Sequence, residues 1–328
     1  MLVLNRQQVE ALLDLDQLID ALAAAMAELS AGRVSMPPRI AARVPEAEGL
    51  LAVMPAYLPA SGALAAKLVS VFPHNASSGL PTHLAVVAVF DPRAGACVAL
   101  LDGTYLTAAR TAAGSALATR LLARPDADVL AIVGTGVQAR MHGRVVPRVR
   151  RFREIRVVGR DAQKMAALAE DLSRELGVPA KPFATFAAAA SGAGVICAAT
   201  HCTEPVVIGR WLGSGVHVNS VGFNPQGREL DDEAIRKSLI VVESRASALA
   251  SFPAGSNDLV QPIERGIITA DRVHAEVGEI VSGTKPGRTS RDQITLYKSV
   301  GVAVEDAVAA GLALAAARER GAGLEVEL

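Results

Sequence analysis

The chain has 328 residues, more than one compact core ordinarily holds, which points to two domains and weighs against a lone binding module. Lysine plus arginine and aspartate plus glutamate both number 33, so the formal net charge is zero, and with no basic stripe or acidic tail the expected partner is a small molecule, not nucleic acid. A hydrophobic content of 51% with only 3% aromatics is an α/β balance, and with no apolar run of membrane-spanning length and no basic-then-apolar leader the protein is expected to be soluble and cytoplasmic.

From Asp16 to about Gly32, Leu18, Ile19, Leu22, Met26 and Leu29 recur at the spacing of one helix face. Short Val/Ala/Leu-rich runs follow at 50–55, 64–72, 83–90 and 96–101, and the last two flank the turn residues 91–95, which predicts an antiparallel or mixed sheet. An Ala-rich helix runs from Thr104 to Ala123 and is broken by Pro125, where the first domain boundary is placed. Beyond it, strand, glycine turn and helix alternate. The runs at 128–133, 154–159, 194–199, 216–221 and 239–243 are apolar on both faces, the mark of a parallel sheet covered by helices. Segment 254–296 is rich in charge and turns, and a long Ala/Val helix from Ser299 to about Arg320 is too apolar to float free, so it is expected to pack on the N-terminal domain. The domains expected are 1–124 with 299–328, and 125–298. The fold class is α/β, a Rossmann doubly wound parallel sheet plus an α+β substrate-binding and dimerisation domain.

Gly134, Thr135, Gly136, Val137, Gln138 and Ala139 form a G-x-G-x-x-A turn between the strand Val129–Val133 and a helical segment. The first glycine permits the bend, the second lets the backbone approach a pyrophosphate at the helix N-terminus, and the small third residue lets helix and strand close up. Such a string is weak alone, and here a second strand, ending at Gly159, supplies the context it needs. Arg160 and Lys164 at the end of that strand favour a ribose 2′-phosphate, NADP(H) over NAD(H), although Asp161 beside them suits a free hydroxyl.

Lys67 sits in an apolar strand on the same face as Val69 and Val71, where desolvation would lower its pKa and fit it for proton transfer; the plainer alternative is an edge-strand lysine reaching solvent. Arg110 shares a small, mostly apolar helix face with Leu106, Ala113 and Gly114, so it needs an anion, either a substrate carboxylate or an internal acid. Arg39 is a second possible carboxylate contact or an ordinary surface arginine, and His83 a possible polar tip in a cleft, whereas His142, His217 and His274 read as structural. Cys97, Cys197 and Cys202 have no pairing pattern, and no two histidines have metal-ligand spacing, so neither a disulfide framework nor a metal is expected.

The runs Gly79-Leu80-Pro81-Thr82-His83, Leu101-Asp102-Gly103, Leu106 to Ala113, Gly134 to Ala139, Arg228 to Asp232 and Ser299 to Asp306 together resemble the ornithine cyclodeaminase/mu-crystallin family, nearly end to end. The resemblance implies a homodimer paired through N-terminal domains, with the active site between the two domains of each chain. It implies that Arg39 and Arg110 hold a substrate carboxylate, that Lys67 bonds to the carbonyl or imino group and moves protons, and that Thr82 lies nearby; Thr111 and Thr200 join the cofactor contacts. Phe223, in Gly222-Phe223-Asn224-Pro225, stands where ornithine cyclodeaminases carry an aspartate for the substrate amines. A phenyl ring neither accepts a proton nor pairs with an ammonium. The expected activity is therefore NAD(P)H-dependent reduction of a small α-imino acid or cyclic ketimine, with diamine cyclodeamination, an alanine-dehydrogenase-like reaction and a non-catalytic dinucleotide-binding role as alternatives. Met54, Phe72, Asn75 and Phe223 are expected to set the substrate's side-chain size.

Overall fold

The computed structural model describes residues 1–251 and 253–327, and it resolves into two compact units, residues 1–110 with 301–328, and residues 111–300. The Ala-rich helix Gly103–Leu122 does end before Pro125, but the units part at Arg110/Thr111, inside it.

The first unit is a mixed sheet. Its order is Leu324–Glu325, Leu2–Leu4, Cys97–Asp102, His83–Phe90, Ala63–Val71, Gly49–Leu58 and Ile40–Val44; Leu2–Leu4 runs parallel to Cys97–Asp102 and every other pairing is antiparallel. The long central strands alternate: Ala52, Met54, Ala56 and Leu58 are buried, while Leu51 on the opposite face is exposed. The buried face is covered by Ala303–Arg320, and Leu15–Ser30, capped by the Asp14 carboxylate, packs on that helix. This last helix starts four residues later than its apolar run, because Gly301 takes φ +72 and Val302 is extended. From Ala303 to Ala310 every residue is buried, so the helix is a core element and not a surface one.

The second unit is a fully parallel sheet in the order Val273–Glu276, Ser238–Val242, Ile294–Lys298, His217–Ser220, Val195–Ala198, Val129–Val133, Glu154–Val158 and Ala180–Phe183. It is the doubly wound arrangement expected, with Val129–Val133 wholly buried beside the switch in strand order. Segment 254–296 is not merely turns, since it supplies the strand Val273–Glu276 and the start of the interior strand Ile294–Lys298. His142 and His217 are buried in this unit on Ser115 and Thr295 respectively, and burial holds both imidazoles neutral, His142 down to about 4 and His217 to about 3.

Candidate active site

In the first unit, Lys67 lies mid-way along Ala63–Val71, an interior strand, paired with Met54 on one side and Val87 on the other. Its side chain is 2% exposed on the face covered by Ala303–Arg320, and its Nζ lies 2.8 Å from Asp306 Oδ2. The edge-strand alternative for Lys67 is thereby gone. Asp306 is itself buried and accepts from Arg110 Nε at 3.0 Å through its other oxygen; Arg110 NH1 donates to Glu305 Oε2 at 2.6 Å. One carboxylate thus bridges two cations, and a second clamps the guanidinium.

The local sequence explains why these groups can meet. Glu305 and Asp306 lie in the first turn of their helix, where the unpaired amides favour negative charge, and the Val302 amide donates to Glu305. Gly301 precedes them, and a Cβ there would come within 2.6 Å of Arg110 NH1. Its carbonyl accepts from Arg39 NH2. Lys67 and Arg110 thus share Asp306, Arg110 also meets Glu305, and Arg39 lies near enough to act on the Lys67 charge. Burial, reinforced by the Arg110 charge, pushes the Lys67 amine down to about 8 against the opposing pull of Asp306. At that value the amine exchanges a proton readily near neutrality.

Thr82 and His83 lie at the far end of the neighbouring strand, where His83 pairs with Val71 and not with Lys67. Thr82 Oγ1 and His83 Nδ1 are 3.1 Å apart, and His83 is exposed. Met54 is buried next to Lys67, Phe72 packs its ring on Gly49, and the Asn75 amide donates to the Pro81 carbonyl.

In the second unit, the G-x-G-x-x-A turn leads from Val129–Val133 into the helix Val137–Val145. Gly134 has φ +116 and a Cβ on it would strike the Ala199 carbonyl at 2.6 Å, so only glycine fits. Gly136 is the N-cap, has no side-chain cap, and a Cβ on it would meet nothing within 4 Å, which leaves open space in front of the first amides of the helix. Gln138 Oε1 is buried there with no hydrogen-bond donor among the described residues. Ala139 is buried, and Thr135 packs on Gly159. The two glycines and the open helix N-terminus fit a dinucleotide pyrophosphate. At the end of Glu154–Val158, Arg160 is exposed and no described residue pairs with it; Asp161 is engaged as N-cap of Ala162–Leu176, accepting from the Lys164 amide, with Lys164 Nζ 3.7 Å from its other oxygen. Thr111 is buried, and Thr200 lies against Gly134 and donates from both N and Oγ1 to Glu229 at 2.7 Å.

Phe223 follows the strand His217–Ser220 in a loop with Thr200, Cys202, Asn224 and Arg228 around a small cavity. A buried network holds this loop. Glu229 accepts from Thr200, Ser220 Oγ and the Gly222 amide; Asp258 accepts from the Glu229 and Leu230 amides; Lys298 donates to the Gly222 carbonyl and pairs with Asp258 at 2.8 Å. Asp258 is one of many charges in a segment that reads as turns, and Lys298 falls between that segment and the last helix, so neither stands out in the sequence. Glu305 and Asp306 stand in plain view in the last helix, but nothing local says that they pair with residues almost two hundred positions earlier.

The family model of the ornithine cyclodeaminase/mu-crystallin family matches residues 1–320. The chain belongs to that family. It is similar to the ketimine reductase mu-crystallin of Mus musculus, 39% identical over 299 residues that cover 90% of each chain. It is 36% identical to the Delta(1)-pyrroline-2-carboxylate reductase of Bacillus cereus over 329 residues, the whole of both. Among solved structures it superposes on the Thermococcus litoralis Delta(1)-pyrroline-2-carboxylate reductase, in complex with NADH and L-proline, with a TM-score of 0.96 at 40% identity, covering 99% of this chain and 100% of that one.

Removing the Arg110 guanidinium leaves Glu305 buried beside an empty space. Arg110→Ala is expected to destabilise the protein by about 3–5 kcal/mol, measured by urea unfolding, a loss larger than truncation of an exposed arginine would cause.

Proposed function

We propose that this protein is an NAD(P)H-dependent reductase of small α-imino acids and cyclic ketimines such as Δ1-pyrroline-2-carboxylate, giving L-amino acids. The observation that carries the reading is the cluster in which buried Lys67 and buried Arg110 share the Asp306 carboxylate, with the partly buried Arg39 close by on Gly301. Two arginines beside a lysine suit a substrate that carries a carboxylate. When bound, the reduced nicotinamide supplies a hydride for the substrate carbon. Arg110 and Arg39 hold the carboxylate and so fix the orientation of the carbon–nitrogen double bond. Lys67, protonated below about pH 8, stabilises the charge that collects on nitrogen and delivers the proton there. Phe223 brings no base to the substrate amine, which weighs against cyclodeamination. The names of the reductases to which the chain is similar support the same reaction class.

The test is consumption of NADPH and NADH, followed by absorbance, with Δ1-pyrroline-2-carboxylate, Δ1-piperideine-2-carboxylate, and pyruvate or glyoxylate with ammonia or methylamine. Turnover with one of them, lost in Lys67→Met, is the expected result. Proline and ammonia released from ornithine with no net consumption would overturn the reading.

The reading includes a preference for NADPH, supported by the exposed Arg160 and by the commitment of Asp161 to its helix. Arg160→Ala is expected to raise KM for NADPH by about 10- to 100-fold, the worth of a charge-assisted hydrogen bond, with little change for NADH.

It also includes a homodimer. The face of the mixed sheet opposite Lys67 exposes Ile40, Leu51, Leu68, Leu84 and Val86, with Leu68 and Val86 directly paired. Such a contiguous apolar face suits a second copy of the chain. Sedimentation is expected to give a dimer for the parent and a monomer for the double variant Leu68→Glu, Val86→Glu.

A further inference from the structure

We propose that Asp306 is a positioning residue for this reduction: a single carboxylate fixes Lys67 and Arg110 at a set separation, so that the ammonium meets the imine nitrogen while the guanidinium meets the carboxylate. The inference rests on the reductase reading. Its basis is geometric. Asp306 is the acid that touches both cations, Lys67 Nζ at 2.8 Å through one oxygen and Arg110 Nε at 3.0 Å through the other, and it is 1% exposed at the start of a helix buried along its first eight residues. Glu305 differs, since its carboxylate serves the Arg110 NH1 group and the Val302 amide at the helix start.

The role of Asp306 in the proton step follows from charge. In the reduction, the carbon of the C=N bond gains a hydride from the reduced dinucleotide, which leaves oxidised. The nitrogen gains a proton from Lys67, which is left as a neutral amine and recovers its proton from solvent. A lysine in an apolar wall, beside Arg110 and with Arg39 close enough to repel it, holds its proton weakly. Asp306 is the anion that opposes both effects. Without it, Lys67 would be deprotonated at a lower pH and free to move away from the line that the substrate demands.

The experiment compares the parent with Asp306→Asn, Asp306→Glu and Glu305→Gln in two readouts. One is the pH dependence of kcat/KM for the imine found by the panel above, with NADPH. The other is the titration of Lys67 itself, read by NMR of 13Cε-labelled lysine in the full chain and assigned with Lys67→Met. The chain has only six lysines, so the signals are few. In Asp306→Asn the alkaline limb of kcat/KM and the Lys67 titration both move to lower pH, by about one unit or more, and kcat/KM at neutral pH falls about a hundredfold. Asp306→Glu keeps the charge, so its titration stays near the parental one, while kcat falls because the two cations are held at a different spacing. Glu305→Gln raises KM without moving the limb. Melting and dinucleotide binding establish that each variant is folded; should Asp306→Asn fail to fold, the loss of kcat at unchanged Lys67 titration in Asp306→Glu carries the test. A folded Asp306→Asn with the parental limb and the parental Lys67 titration overturns the proposal. A parent that reduces no imine, yet whose Lys67 titration drops in Asp306→Asn, overturns the reductase reading and leaves the coupling of the two residues standing.

Discussion

Four charged side chains packed where a hydrophobic core would ordinarily be continuous are the constraint around which the first unit is built. Each ion taken out of water costs several kcal/mol, which is recovered only when geometry lets every charge meet its opposite. The sheet supplies Lys67 from an interior strand, and helix Gly103–Leu122 supplies Arg110 from its small-residue face. Helix Ala303–Arg320 supplies both acids from its first turn, where backbone amides already favour them. Gly301 makes the assembly possible, because any side chain there would occupy the space of the guanidinium. A hydrophobic replacement of the whole cluster would be no less stable in principle. What the charges contribute, in the function proposed, is a prepared place for an anion with a proton donor fixed beside it.

The second unit solves a related problem with backbone. Gly134 and Gly136 clear a path to the amides of Val137–Val145, so an anion there is met by dipoles and not by a formal charge. Behind this turn, Thr200 is held by Glu229, and Glu229 by the Ser220 and Gly222 groups that start the Phe223 loop. The loop is thus tied to the parallel sheet through buried polar contacts, and Lys298 at the end of Ile294–Lys298 secures it from the other side. Because Ser220, Glu229, Asp258 and Lys298 in this network are buried, the start of the Phe223 loop is held by the sheet.

Much of this was legible beforehand, for identifiable reasons. Lys67 is conspicuous as one charge in an apolar strand, and Arg110 as one charge in an Ala-rich helix; both are anomalies that hydrophobic patterning reveals. The parallel sheet declared itself through runs apolar on both faces. The interior strand Ile294–Lys298 did not, because Thr295 and Lys298 find their partners in buried hydrogen bonds that only tertiary structure provides. The last helix was expected to begin at Ser299, yet Ser299 and the Val300 amide are bound by Glu243 and Gly301 turns the chain, so regular structure waits until Ala303. The two acids were visible as letters of a motif. Their role was hidden, since a contact between residues 110 and 306 has no local signature.

The long span between those partners has a consequence for how the protein is made. Lys67 and Arg110 leave the ribosome well before Glu305 and Asp306, which follow Arg110 by 195 and 196 positions. Until they arrive, the nascent sheet must keep its buried-face lysine wet, so its apolar wall cannot close. A chain cut short before helix Ala303–Arg320 would therefore carry the cations without their counterions and stay open to proteases.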